Sequence, residues 1–221
     1  MASQSKNFIS FVALGGPNPQ ILNIDFLKSN RILPLDQAPF ASLSAQKKLV
    51  KKFVAVPGFT NLVLDNIEFI VDETRFQIRE KEISNWGDTK ILEIAEKYFD
   101  VLPYTPLKVV GLNLNSTITF DTPKESTSFQ ELFLSQNSRM LGIVGKDSVA
   151  ASIVLRYPYS KQGGRIALTL DQPNKENKKR AVNLNYEFDF TSWAEFRIEL
   201  GKILEISDYF DSMVRKLLEA I

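Results

Sequence analysis

The sequence predicts an α+β protein built on antiparallel sheet with a long C-terminal helix, and three patterns carry that prediction. Over 110–120 the even positions are Val110, Leu112, Leu114, Ser116, Ile118 and Phe120, while the odd ones are Gly111, Asn113, Asn115, Thr117 and Thr119. The same alternation runs from Val182 through Leu184, Tyr186, Phe188 and Phe190, against Asn183, Asn185, Glu187 and Asp189. A period of two with one apolar side marks strands whose other side meets water. Two further stretches change to helical spacing, and these share residues: Lys90-Ile91-Leu92-Glu93-Ile94 recurs as Lys202-Ile203-Leu204-Glu205-Ile206, and Tyr98-Phe99-Asp100 as Tyr209-Phe210-Asp211.

Taken in order, the apolar run 8–14 follows Lys6 and superficially imitates a secretory leader. Ser10 interrupts it and Gly15-Gly16-Pro17 closes it as a turn, so it is expected to be the first strand. Residues 28–52, with Pro34 and Pro39, are expected to be irregular. Strands follow at 53–56, 61–71 and 74–81. Asp88 is the expected N-cap of a helix carrying Ile91, Ile94, Ala95, Tyr98, Phe99 and Leu102, which Pro103 stops. After the strand at 110–120, a short helix is expected over 128–134, then strands at 141–144, 149–157 and 165–170, with turns at 145–147 and 161–164. Ser192 with Glu195 makes a capping box. It opens a helix through Trp193, Phe196, Leu200, Ile203, Phe210, Val214 and Leu217 that would run about 40 Å if continuous. Gly201 is its weak or closely packed point.

Composition limits the chemistry. The 221 residues contain no Cys and no His. Disulfides, thiolate nucleophiles, Cys-ligated metals and Ser-His-Asp or Cys-His catalysis are therefore excluded. The 27 basic and 26 acidic residues nearly cancel, so nothing marks a phosphate-neutralising surface, and nucleic acid is not an expected partner. No stretch approaches the ~18 apolar residues of a membrane span. The cytoplasm is the expected location.

Remaining motifs favour structure over chemistry. Gly142-Ile143-Val144-Gly145-Lys146-Asp147 lacks the leading Gly and the hydroxyl residue of a phosphate loop, and a hairpin turn explains it better. Gly15-Gly16-Pro17-Asn18-Pro19 is a ligand loop or, more economically, a rigid connection. Asp65, Glu68, Asp72 and Glu73, and separately Glu187 with Asp189, are the acids from which a Mg²⁺-assisted hydrolase site would have to be drawn. Alternate acids on an outward face equally serve solubility. Two basic groups, Lys47, Lys48, Lys51, Lys52 and Lys175, Lys178, Lys179, Arg180, would bind phosphate only if they converged. Asn115-Ser116-Thr117 is a glycosylation sequon, relevant only outside the cell. No catalytic, cofactor or metal residues are assigned.

The helix recurrence, together with the element order, divides the chain into halves at 1–103 and 104–221, both belonging to one compact unit. Each half would be β-α-β(3-4)-α, an order similar to TATA-binding-protein-like and helix-grip folds; chance likeness of two amphipathic helices is the competing reading. Val110-Gly111-Leu112-Asn113-Leu114-Asn115, with a later helix ending in Tyr-Phe-Asp, also resembles a sporadically distributed prokaryotic family of uncharacterised proteins, a resemblance that implies no activity. The expected function is a non-enzymatic binding or assembly protein with a protein partner or a second copy. A carrier of a small apolar ligand, gripped between the sheet and the C-terminal helix, and a carboxylate-dependent hydrolase are the alternatives.

Overall fold

A computed structural model describes residues 2–33, 50–131, 151–158, 165–172, 178–190 and 192–219. The expected strand 141–144 and the turns at 145–147 and 161–164 lie outside these residues. The described strands are β1 (Ser3–Gly15), β2 (Val50–Val56), β3 (Phe59–Leu64), β4 (Ile67–Asp72), β5 (Arg75–Lys81), β6 (Leu107–Thr119), β7 (Ala151–Pro158), β8 (Arg165–Gln172) and β9 (Lys179–Asp189). They form one sheet in the order β2-β3-β4-β5-β1-β6-β9-β8-β7, with every neighbouring pair antiparallel. The helices are α1 (Ile24–Ser29), α2 (Ile91–Val101), α3 (Pro123–Glu131), α4 (Trp193–Gly201) and α5 (Ile203–Glu219). None of the described helices is long and apolar enough to cross a membrane.

Register explains why one face is covered. Ile9, Phe11 and Ala13 stand opposite Leu114, Leu112 and Val110. Those in turn face Leu184, Tyr186 and Phe188, and all are buried. On the other side of β1, Phe11 faces Ile78 and Ala13 faces Phe76, which continue to Phe69 and Val71 on β4. The helices seal this face. Tyr98 and Phe99 of α2 meet Phe76 edge-on or tilted at ring separations of 4.4 and 5.0 Å, and Phe196 of α4 meets Phe11 at 5.8 Å. Burying each such ring contributes about 1.5–3 kcal/mol.

Several elements differ from the sequence reading. The run 61–71 is not one strand; Asp65-Asn66 turns it into the β3–β4 hairpin. The apolar phase slips there, from Leu62 and Leu64 to Phe69 and Val71, so a turn is required to keep both sets inward. Asp88 does not cap α2 but ends the 3₁₀ turn Trp86–Asp88. The cap comes from β5 instead: Glu80 accepts from Thr89 Oγ1 at 2.6 Å and from the Lys90 N–H at 3.2 Å. Residues 28–52 are not wholly irregular, since α1 reaches Ser29, capped by Asn23 (Phe26 N–H to Asn23 Oδ1, 2.8 Å), and β2 starts at Val50. The helix expected at 128–134 begins at Pro123, where Thr122 accepts the Glu125 N–H at 3.2 Å. Ser192 does cap α4, accepting from the Glu195 N–H at 3.3 Å, but the helix breaks at Lys202. Gly201 is not a close-packing point: a Cβ there would meet nothing within 4 Å.

Candidate functional site

The helix-free face of the sheet is polar at its centre. A bulge at Asn7, between the Lys6–Ser116 and Phe8–Asn115 pairs, places its side chain over β6. Asn7 donates to Asn115 Oδ1 at 2.5 Å and to Thr117 Oγ1 at 2.8 Å, and Asn115 donates on to Asn183. Asn113 donates to Ser10 Oγ at 3.3 Å. The alternation in β6 and β9 revealed these amides as the outward row; Asn7 carries no such signal, because a bulge is set by pairing. The sequon residue Asn115 is engaged in this row.

The acids named from sequence do not form one site. Asp65 pairs with Lys51 at 2.8 Å in the β3–β4 turn. Glu68 lies near the start of β4, bound by Lys81 at 3.1 Å and Asn61 at 3.2 Å. Burial pushes the Glu68 carboxyl up, but those hydrogen bonds and the Lys81 and Arg79 charges outweigh it and hold it below its ordinary range. Asp72 behaves alike: burial raises it, the Thr74 hydroxyl and N–H and the Arg75 charge lower it more. Glu73 borders Gly58 in the neighbouring turn region. Glu187 and Asp189 lie on β9, on the far side of β6 and β1. Among the described residues, no three acids gather as a metal site would require.

The basic groups also part company. Lys51 and Lys52 lie on β2 and residues 178–180 at the start of β9, six strand spacings or roughly 30 Å away. Lys47, Lys48 and Lys175 fall outside the described residues. Lys178 donates to the Asp121 carbonyl at 2.5 Å, and Arg180, 2% exposed, points to the helix side and donates to the Ser126 carbonyl at 3.2 Å. These contacts hold α3 to β9.

One buried polar constellation escaped the sequence reading. Tyr186 on β9 donates to Glu199 at 2.5 Å, and Glu199 accepts from Lys202 at 2.5 Å. It adjoins a space of about 10 Å³ among Phe11, Leu112, Tyr186, Phe188 and Ile206. That is the size of a single water.

Two features remain open. Edge strand β2 exposes apolar side chains: Phe53 is 50% and Val56 51% exposed, and Val54 is also exposed. Elsewhere in the first half, Gly15-Gly16-Pro17-Asn18 runs against the α2–β6 connection. Gly16 N–H donates to the Pro106 carbonyl at 2.9 Å, and between the two segments lies a cleft of about 280 Å³. Compared with models of known protein families and with curated proteins, the chain matches none.

Proposed function

We propose that the protein is a non-enzymatic assembly module that joins to a second copy of itself through the β2 edge. The observation that carries this reading is a seven-residue edge strand at the end of the described sheet with Phe53, Val54 and Val56 turned out to solvent. An edge of that kind presents unpaired backbone donors and acceptors, and soluble proteins ordinarily shorten, charge or cover it. A two-fold antiparallel pairing centred on Phe53 sets Phe53 against its own copy. Lys52 then faces Val54 and Lys51 faces Ala55, so neither lysine meets a lysine. The resulting sheet would run through both copies. The engaged carboxylates of Glu68 and Asp72 support a non-enzymatic reading, because their depressed pKa values suit ion pairing better than proton transfer near neutrality.

The strand order fits an internal duplication within each copy. β1 and β6 open the two halves, each pairs within its own half with that half's last strand (β5 or β9), and the two openers pair with each other. Such an order is similar to that of TATA-binding-protein-like folds, and the repeated Tyr-Phe-Asp supports it.

Sedimentation velocity over a concentration series tests the assembly. The wild type is expected to dimerise reversibly. Val54→Lys puts a lysine opposite Lys52 of the second copy and should weaken the dimer by about twofold to thirtyfold, whereas Val54→Glu should strengthen it by a similar factor. A monomer at every concentration overturns the proposal, as does an equal effect of the two substitutions.

A further inference from the structure

We infer that the helix-free face of the sheet is an interface with a second copy of the chain, packed face to face about a two-fold axis along the β1–β6 seam. Register lays this face out in rows that cross the four central strands. One row is Gln77, Val12, Gly111 and Glu187, and the next is Arg75, Leu14, Val109 and Asp189. Each of these rows carries a donor or cation on β5 and a carboxylate on β9. A two-fold axis parallel to the strands lays β5 of one copy over β9 of the other, and β1 over β6. Gln77 then meets Glu187 of the second copy, Arg75 meets Asp189, and Arg79 meets the neutral Asn185. Val12 lies over Gly111, whose missing side chain leaves room for it, and Leu14 lies over Val109. An axis across the strands would instead stack β5 on itself and set Arg75 against Arg79, so the charges select one orientation. That orientation keeps the strands of both copies aligned, as in ordinary packed sheets about 10 Å apart.

Three observations point to this occupant. Gln77 is 7% exposed, yet its amide has no hydrogen-bond partner among the described residues. Its neighbours Phe76 and Ile78 point into the core, so the amide faces the open side, where its polar atoms still reach solvent. A largely buried amide in this state is a donor that a carboxylate of the second copy satisfies. Arg75 pairs with Asp72 at 3.4 Å but keeps 42% of its side chain exposed, and Asp189 is exposed as well. Leu14, beside Arg75 on the same face, is also 42% exposed and with Val12 and Val109 forms an apolar strip along the seam. The two-fold axis repeats every contact, so each pair occurs twice. The seam lies four strands from β2, and face pairing therefore adds to the edge pairing and builds species larger than a dimer.

Charge swaps followed by mixing test this on the full chain, by sedimentation velocity. Arg75→Glu sets a carboxylate against Asp189 of the second copy, and Asp189→Lys sets an ammonium against Arg75. Each variant alone should weaken face pairing by about tenfold or more, because the like-charge contact occurs twice. An equimolar mixture of the two should recover the association, since every swapped charge then meets its opposite. Gln77→Glu, placed between Arg75 and Arg79 of its own strand, should keep the melting temperature. By opposing Glu187 it should still weaken face pairing by about tenfold. The wild type is expected to pass beyond a dimer at high concentration, and each single variant to stop at the edge-paired dimer. The inference is overturned if the single variants associate like the wild type, or if mixing restores nothing; either result leaves the β2 dimer standing. A wild type that reaches only a dimer, lost in Arg75→Glu and regained on mixing, would support the face contact and refute the edge contact.

Discussion

Gly15 stands where the end of β1 meets the residue before β6, and a Cβ there would lie 1.9 Å from the Pro106 carbonyl oxygen. That atom belongs to the backbone and cannot rotate away. Gly15→Ala should therefore separate the two connections and cost about 2–4 kcal/mol in a urea melt. Phe196, fully buried against Phe11 and Phe190, should lose about 3–5 kcal/mol on truncation to Ala, with Phe188, 8% exposed, toward the lower end. Glu68 makes stability depend on pH in a direction fixed by its shift. Its carboxyl is held below its unfolded value, so the native state is favoured while it is ionised. That advantage is complete above the unfolded pKa of about 4.3 and disappears as pH falls through the folded value. Glu68→Gln should flatten the stability curve below about pH 5, where the wild type falls. An unchanged acid limb in melts across that range would contradict the assignment.

Among the elements, the break between α4 and α5 is the most informative. Gly201 ends α4 with open space around its missing Cβ and no left-handed backbone angle. Gly201→Ala should therefore raise stability by about 0.5–1 kcal/mol, through helix propensity alone, measured by the same melts. Beyond the break, α5 is fastened by Asp211. This carboxylate accepts from Trp86 Nε1 at 2.9 Å and from Gln4 Nε2 at 3.4 Å, and pairs with Lys6 at 3.0 Å, while the Lys6 ammonium lies 5.2 Å from the Trp86 ring centre. Asp211→Ala strands the buried indole N–H and should cost about 1.5–3 kcal/mol. A change in Trp86 fluorescence on this substitution would locate the effect at that contact.

On the scale of the whole molecule, the halves 1–103 and 104–221 are stitched together at three levels. The β1–β6 ladder is the seam of the sheet. Phe196 of the second half packs on Phe11 of the first. The acids of the recurring Tyr-Phe-Asp both reach across: Asp100 binds Arg197 at 2.8 Å, and Asp211 binds Lys6 and Trp86. Core packing therefore crosses the boundary between the halves. Produced separately, each is expected to lack a cooperative thermal transition, and mixing or co-expression should restore one. Independent melting of either fragment would show that the seam is an interface between finished domains.

Local spacing was enough to reveal which residues of β6 and β9 turn inward, that Ser192 begins a helix and that Pro103 follows the end of another. Each of these depends on chain geometry over a few residues: a period of two, a side-chain oxygen three residues from an amide, a ring that removes a donor. The absence of Cys and His was equally decisive for what the chain cannot do. Only the tertiary structure set β1 beside β6, because pairing between strands about a hundred residues apart is chosen by the burial of both apolar rows together. The same pairing creates the bulge at Asn7, which reverses the phase of β1. Lys6 is thereby sent to the helix side to meet Asp211, and Phe8 to the open side under Arg79. The cap of α2 likewise comes from Glu80 of β5, a residue that only the folded chain brings to the helix end. The cleft at Gly16 arises where two connections distant in sequence are drawn together by strands that pair, so no stretch of sequence contains it.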